Sequence, residues 1–284
     1  MKDSRYALNL GKLATDSTWT KHDTHWLLSL FGTAVGAGIL FLPINLGIGG
    51  FWPLVVMALL AYPMTYLAHR GLARFVLSSE IKNADFTDVV EEHFGARAGR
   101  VISLLYFLSI FPILLIYGVG ITNTVESFMV NQAGMEPLPR VLLSGVLVLS
   151  LISIMMAGEQ VMLRAFAIMV YPLIAILAFL SFYLIPNWNM PNTVVPEMSS
   201  FASTIWLAIP VVIFSFSHAA AISSFANAQR RHYGKTADEK SELILRRTGI
   251  VLIAFVLLFV FSCVLTLSPE QLAQAKEQNV SVLT

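Results

Sequence analysis

Two stretches of small and polar residues interrupt apolar segments that would otherwise form continuous helices. The first, GTAVGAGILFLP, covers residues 32–43 inside an apolar run that begins near Trp26. The second, IPVVIFSFSHAAAISSF, covers residues 209–225 and carries His218 directly after Ser217. Within lipid, a broken helix leaves N–H and C=O groups that must meet protein, water or a ligand. Two such breaks in one polytopic chain indicate the substrate site of a transporter.

The composition is that of an integral membrane protein. Hydrophobic residues make up 56% of the chain and charged residues 12%, whereas a soluble domain has about 25% charged residues. The formal net charge of +1 provides no basic footprint for nucleic acid. The single cysteine, Cys263, excludes an internal disulfide and a thiolate metal cluster. The sequence has neither a GxSxG nor an HExxH motif, so it indicates neither an enzyme nor a bound metal or cofactor.

Hydropathy divides the chain into a polar tail (1–25), a transmembrane domain (26–267) and a terminal segment (268–284). We predict an all-α polytopic protein with about seven spans, placed at 26–47, 51–77, 101–130, 141–157, 161–186, 201–227 and 248–267. In this arrangement 16 of the 18 Lys and Arg residues lie on one side of the membrane and two on the other. The positive-inside rule then predicts a cytoplasmic N-terminus and an external terminal segment.

A further helix is predicted outside the spans. In the stretch FTDVVEEHF, residues 86–94, the apolar residues Phe86, Val89, Val90 and Phe94 recur at helical spacing. This pattern predicts a short amphipathic helix that shields the bundle at the interface, with a regulatory role as the alternative.

The order of several segments resembles one family of transport proteins. These segments are WLLSLFGTAVGAGILFLPINLGIGG, YPMTYLAHRGLARFVLS, DVVEEHFG, LLYFLSIFPILLIYGVGITNTVESF, LIPNWN, FSFSH and AKEQNVSVL. Together they resemble the hydroxy and aromatic amino acid permeases of the amino acid, polyamine and organocation superfamily, and the bacterial serine and threonine branch most of all. The resemblance implies about eleven spans and the LeuT-like fold, whose first five spans mirror the next five. This chain would then hold one whole repeat and two helices of the second.

The resemblance also implies how a zwitterionic amino acid would bind. Glycines in the first break would let backbone amides approach the substrate carboxylate closely, and the half-helix that follows would point its positive N-terminus at that carboxylate. Freed carbonyls would accept the ammonium group, and side-chain hydroxyls would bind a substrate hydroxyl. The candidate substrate-binding residues are Thr33, Gly36, Ala37, Gly38, Ser215, Ser217 and His218. The alternative for the first break is close helix packing through the small pair Gly32 and Gly36.

His218 is expected to be the only histidine well inside a span. An ionisable residue at membrane depth is a functional candidate by default, and an imidazole exchanges protons near neutral pH. We therefore predict that His218 takes part in proton coupling. The alternative is a neutral imidazole that hydrogen-bonds a freed carbonyl.

The third predicted span carries two candidates for a vestibule, Tyr106 and Asn123. Asn123 lies with Glu126 near the outer end of this span, where both side chains are alternatively interfacial caps. Tyr106 is placed to face the site, and ordinary packing with its hydroxyl at a carbonyl is the alternative.

These features predict a secondary active transporter that imports L-serine or L-threonine with protons across the bacterial inner membrane by alternating access. Its expected partners are the amino acid, protons and membrane lipid. No apolar partner for the last two spans remains in 268–284, so we expect the chain to continue in a longer protein. The alternatives are a permease for aromatic amino acids and a truncated, inactive or partner-dependent remnant that does not transport.

Overall fold

Each predicted span coincides with helix in the computed structural model, which describes residues 18–157, 159–190 and 197–277, and two of the spans contain a break. Short helical turns follow three of the helices: a π-helix at Phe128–Gln132 and 3-10 turns at Ile185–Asn187 and Gly234–Thr236. The α-helices are α1 (Lys21–Ala34), α2 (Ala37–Gly47), α3 (Phe51–Leu77), α4 (Phe86–Ser127), α5 (Arg140–Met156), α6 (Glu159–Leu184), α7 (Met198–Ser215), α8 (Ala219–Tyr233), α9 (Ala237–Thr266) and α10 (Pro269–Glu277).

The helices differ in their suitability for crossing a membrane. Within the described chain, five helical stretches are long and apolar enough to cross alone, and α1 with α2 makes a sixth if this bent pair is one span. α5 is a shorter apolar helix, over Arg140–Ile154. The five stretches are Phe51–Leu77, Phe86–Gln132, Ile168–Asn187, Met198–Ser215 and Ala219–Thr266. The chain is therefore a membrane protein, and the count of seven spans stays a prediction.

The chain divides into two compact units. The first comprises the residues up to Val89 and from Ile174 onward, and the second is Val90–Leu173. In the first unit α3 packs against α7, α8 and α9, while α2 packs against α7, α9 and α10. α3 presents one buried stripe at intervals of three or four residues: Leu54, Met57, Ala61, Thr65, His69, Ala73 and Val76. This helical spacing puts the whole stripe on the face that meets its neighbours.

A buried ion pair joins three helices of the first unit. The carboxylate of Asp23 at the start of α1 is fully buried, and the ammonium group of Lys240 on α9 lies 3.3 Å from it. The hydroxyl of Tyr233, the last residue of α8, donates to the other carboxylate oxygen at 2.5 Å. The amide of Thr20 also donates to Asp23, and Lys240 donates to the Thr18 carbonyl. These bonds compensate the desolvation of both charges, so α1, α8 and α9 are tied together at this end.

α4 begins with a side-chain cap and is interrupted one turn before its apolar part. Asp85 accepts from the amides of Thr87 and Asp88. Burial alone would raise the pKa of the Asp85 carboxyl, but the hydrogen bonds donated by Asp88 and Thr87 hold that pKa below its ordinary value. Gly95 has φ 82° and ψ 166°, a conformation that interrupts the helix. The amphipathic helix predicted over 86–94 is therefore confirmed as a separate element, although Phe94 is exposed.

The terminal segment begins with a helix that the sequence analysis did not predict. α10 packs on α2, and its Leu272 is buried. A Cβ on Gly47 of α2 would lie 2.7 Å from a methyl carbon of Leu272, so a larger residue at this position would require the Leu272 side chain to shift. Most of the predicted tail, residues 1–17, and residues 278–284 of the terminal segment lie outside the described residues.

We expect that removing either charge of the Asp23–Lys240 pair destabilises the protein strongly. Asp23→Asn or Lys240→Met leaves one buried charge without its partner, which costs about 3–5 kcal/mol. The measurement is thermal unfolding in detergent. Arg74→Met is the control, because Arg74 and its partners Asp238 and Glu242 are one third to one half exposed, and an exposed ion pair contributes at most about 1 kcal/mol. A double variant that is as unstable as the sum of the two single variants would contradict the pairing.

Candidate functional site

The first helix break lies where the sequence predicts it. α1 ends at Ala34, and Val35 and Gly36 are extended, with φ −75° and −148° respectively. α2 then begins at Ala37, whose side chain lies outside the part of the structure that is described. The first amides of a helix have no acceptor within that helix. Those of Ala37 and Gly38 therefore lie at the break with their N–H groups directed out of the N-terminus of α2.

The second break also lies where it is predicted, between Ser215 at the end of α7 and Ala219 at the start of α8. Its four amides all have acceptors within the protein, and one acceptor is a side chain of another helix. The pairs are Phe216 to the Val212 carbonyl (3.1 Å), Ser217 to the Phe214 carbonyl (3.2 Å), His218 to Nε2 of His69 (3.1 Å) and Ala219 to Oγ of Ser217 (3.4 Å).

The two breaks touch each other at Gly38. A Cβ on Gly38 would lie 3.1 Å from the ring of Phe214 and 3.1 Å from Oγ of Ser215. By contrast, no atom of the described structure lies within 4 Å of the place that a Cβ on Gly36 would take. The backbone of the first break is thus in close contact with the second break at Gly38 and has open space beside Gly36.

Two polar side chains at the second break are buried without a good hydrogen bond. Oγ of Ser215 is buried and has no partner in the described part of the chain. The imidazole of His218 is 2% exposed, and neither ring nitrogen makes a hydrogen bond of good geometry, although the Phe216 carbonyl is near. Leaving a buried polar group unpaired costs about 1–3 kcal/mol. Such groups are the ones that a polar ligand would satisfy.

The other two predicted hydroxyls are already used by the backbone. Thr33 donates to the Ser29 carbonyl at 2.8 Å, within α1. Ser217 accepts from the Ala219 amide at the start of α8. Each oxygen keeps a lone pair, but the hydrogen of Thr33 is committed. A substrate hydroxyl could therefore donate to Thr33 but could not accept from it without breaking this bond.

The expectation that His218 is the only histidine inside a span is wrong. His69 lies within α3, is buried, and stacks on His218 with ring centroids 3.7 Å apart and planes 12° apart. Its Nδ1 lies 2.6 Å from the Thr65 carbonyl, one turn earlier. The helical spacing of α3 indicates that His69 is buried, because His69 continues the stripe of residues that this helix buries. Only the fold shows that this stripe meets the second break.

The two vestibule candidates lie in the second unit. Tyr106 and Asn123 are both on α4. The Asn123 side chain accepts from Arg140 at the start of α5 (2.6 Å), and Glu126 lies 3.7 Å from the same guanidinium group. These contacts join α4 to α5, and the vestibule and interfacial-cap interpretations both stay predictions. Over the described residues, no group of three or more His, Cys, Asp or Glu side chains is placed to hold a metal ion.

Comparison with known proteins places this architecture in a family. The model of the tryptophan/tyrosine permease family matches residues 26–284. The chain belongs to this family. It is 52% identical to the serine transporter SdaC of Escherichia coli (strain K12) over 275 residues, and 51% identical to that of Shigella flexneri. It is 41% identical to the threonine/serine transporter TdcC of Yersinia enterocolitica over 280 residues.

The alignments cover 94% of this chain but only 64% of the two serine transporters and 63% of the threonine/serine transporter. No solved structure matches this permease-family chain. The family assignment confirms the resemblance seen in the sequence.

We expect Gly38→Ala to destabilise the contact between the two breaks. The added methyl group would lie 3.1 Å from both the Phe214 ring and Oγ of Ser215, so these side chains must give way by a few tenths of an ångström. Thermal unfolding in detergent should show a loss of about 1–3 kcal/mol, the usual cost of overpacking.

Gly71→Ala is the matched control, because Gly71 lies within α3 and nothing in the described structure lies within 4 Å of its Cβ position. It should be neutral or stabilising, since alanine is the better helix former. Equal effects of the two substitutions would contradict the close contact at Gly38.

Proposed function

We propose that the protein containing this chain imports serine, and threonine as a second substrate, together with protons, across the inner membrane of a bacterium by alternating access. The observation that carries the proposal is the contact of Gly38 with Ser215, which brings the N-terminus of α2 to an unpartnered buried hydroxyl. The names of the relatives, serine transporter and threonine/serine transporter, support the same substrate class.

An amino acid at this place would meet complementary groups. Its carboxylate would bind the amides of Ala37 and Gly38 at the N-terminus of α2, where the helix dipole favours an anion. The open space beside Gly36 leaves room for backbone contact. The serine hydroxyl would pair with Oγ of Ser215. A site that hydrogen-bonds a hydroxyl discriminates against the analogue that lacks it, because the group of the protein is then left unpaired.

The larger fold is also part of the proposal. The two touching breaks support a LeuT-like arrangement in which the spans of one repeat mirror those of the other. The first repeat would contain the bent α1–α2 span, and the second would begin with the broken α7–α8 span. The excess of Lys and Arg on one side supports a cytoplasmic N-terminus. The apolar side chains exposed along α4 and α5, Phe107 and Leu149 among them, would then contact lipid.

Proton coupling is assigned to His218 in this proposal. Its imidazole is at the break itself, and both ring nitrogens lack a good hydrogen bond in the described structure. Binding of a proton would place a positive charge beside the substrate site. This charge would favour a bound carboxylate and would couple the two binding events.

Uptake of labelled L-serine by the full-length gene product, in cells that lack their own serine transporters, tests the substrate. We expect uptake that unlabelled serine and threonine inhibit and that a protonophore abolishes. Inhibition by tryptophan or tyrosine instead would favour the aromatic alternative. Absence of any uptake by a protein that reaches the membrane would favour the remnant that does not transport.

Ser215→Ala should lower the preference for serine over alanine by about tenfold or more, because about 1.4 kcal/mol of hydrogen bonding is lost for serine alone. Competition of alanine with labelled serine measures this preference. Ser181→Ala is the matched control, since that buried hydroxyl already donates to the Leu177 carbonyl. An unchanged preference in Ser215→Ala would exclude Ser215 from the substrate site.

His218→Gln should uncouple transport from protons. The variant should still exchange internal for external serine, but it should no longer accumulate serine when an inward proton gradient is imposed on proteoliposomes. Accumulation equal to that of the unmodified protein would exclude His218 as the coupling group and leave the substrate assignment intact.

A further inference from the structure

We propose that His69 is a positioning residue for transport. Its neutral imidazole accepts a hydrogen bond from the His218 amide and so stabilises the geometry of the second break. This arrangement leaves the His218 ring available to take the proton. The inference rests on the proposed function of the site, because it assigns a role within the same transport reaction. It concerns a residue on α3, outside both broken spans, that neither the substrate contacts nor the coupling assignment uses.

The hydrogen bonds of His69 determine its tautomer. Nδ1 lies 2.6 Å from the Thr65 carbonyl, and a carbonyl can only accept, so Nδ1 carries a hydrogen. Nε2 lies 3.1 Å from the His218 amide nitrogen, and an amide N–H can only donate, so Nε2 carries no hydrogen and accepts through its lone pair. Both ring nitrogens are therefore committed, and the ring is neutral.

The same bonds explain why the break keeps its geometry. The backbone of His218 is not helical, with φ −123° and ψ 26°. Its buried amide would therefore lack an acceptor if no other helix provided one. His69 provides that acceptor from α3. The Thr65 carbonyl fixes the direction of the His69 ring in turn, so α3 holds one of the four amides of the break, while the other three bond within the local chain.

The stacked rings of His69 and His218 can take up only one proton beyond their neutral state. A proton on Nε2 of His69 would destroy its bond to the His218 amide and set two donors against each other. Two imidazolium rings with centroids 3.7 Å apart would also repel. The proton therefore goes to a ring nitrogen of His218, neither of which has a good hydrogen bond to lose.

Charged neighbours do not change this assignment. In the described chain the ion pairs between α3 and α9 join Arg70 and Arg74 to Asp238 and Glu242, and Lys240 of α9 pairs with Asp23 of α1. Neither histidine takes part in an ion pair of the described residues. Each ring is thus the titratable group that stacks directly on the other.

The first test compares variants of the full-length protein in labelled serine uptake. His69→Gln places an amide oxygen near the position of Nε2 and should retain most of the uptake rate. His69→Phe keeps a stacked ring but has no acceptor, and it should lower the rate by about tenfold or more, the scale of one orphaned buried amide. His25→Phe, at an exposed position of α1, is the control and should be unchanged.

The pH profile of uptake separates positioning from proton carrying. His69→Gln should keep the profile of the unmodified protein, because His69 never takes the proton, whereas His218→Gln should flatten it. A profile that His69→Gln flattens while His218→Gln leaves it unchanged would overturn the proposal. Equal uptake by His69→Phe and His69→Gln would overturn it as well.

A second test does not depend on transport. Nitrogen-15 NMR of the histidine-labelled protein in lipid bilayers should show His69 as one neutral tautomer, with Nδ1 protonated and Nε2 not, across the range in which a free imidazole titrates. The His69→Gln variant assigns its resonances. An Nε2–H tautomer or a doubly protonated ring would overturn the proposal. If serine uptake is absent but this tautomer is found, the proposed substrate fails and the positioning geometry of His69 stands.

Discussion

The backbone groups at two helix breaks need hydrogen-bond partners, and the rest of the first unit depends on this constraint. Lipid offers no hydrogen-bond partner to an unpaired N–H group, so the amides of each break must meet groups of the protein, water in a cavity or a ligand. The second break does so with two carbonyls, one serine hydroxyl and the imidazole of His69. The last of these comes from a different helix. The position of α3 is therefore part of the site and not only of its support.

Buried polar groups are compensated differently near the start of α1 and at the two breaks. Near the start of α1, full charges are buried, and Asp23 and Lys240 compensate each other with help from Tyr233. At the two breaks the described residues include no Asp, Glu, Lys or Arg, and their polar groups are backbone dipoles, hydroxyls and imidazoles. Under the proposed function, such a site would accept a zwitterion without first breaking an ion pair of the protein, because its dipoles are already oriented.

Close packing of side chains against the backbone of α2 is the second requirement. Gly38 lets the first break contact Phe214 and Ser215, and Gly47 lets α10 contact α2. Both glycines are in α2, the half-helix that follows the first break. A half-helix with such contacts on two sides is held in place although it is not continuous with α1. This arrangement accounts for the concentration of small residues in the stretch that first distinguished the sequence.

The sequence by itself determined the class of protein, the positions of both breaks and the family. Apolar length decides which segments can span lipid, and glycine, serine and histidine within such segments mark where a helix can break, so these features are local. It also predicted the amphipathic helix over 86–94, for which spacing alone is sufficient.

Only the tertiary structure decided which polar groups meet. Thr33 and Ser217 are candidates by type, but the fold commits the hydrogen of Thr33 to the Ser29 carbonyl and uses Ser217 as an acceptor, while it leaves Ser215 unpaired. His69 and His218 are 149 residues apart in the chain, and nothing in the local pattern of either shows that their rings stack. Pairings of this kind depend on how helices pack, and helix packing is set by many contacts along their length rather than by one residue type.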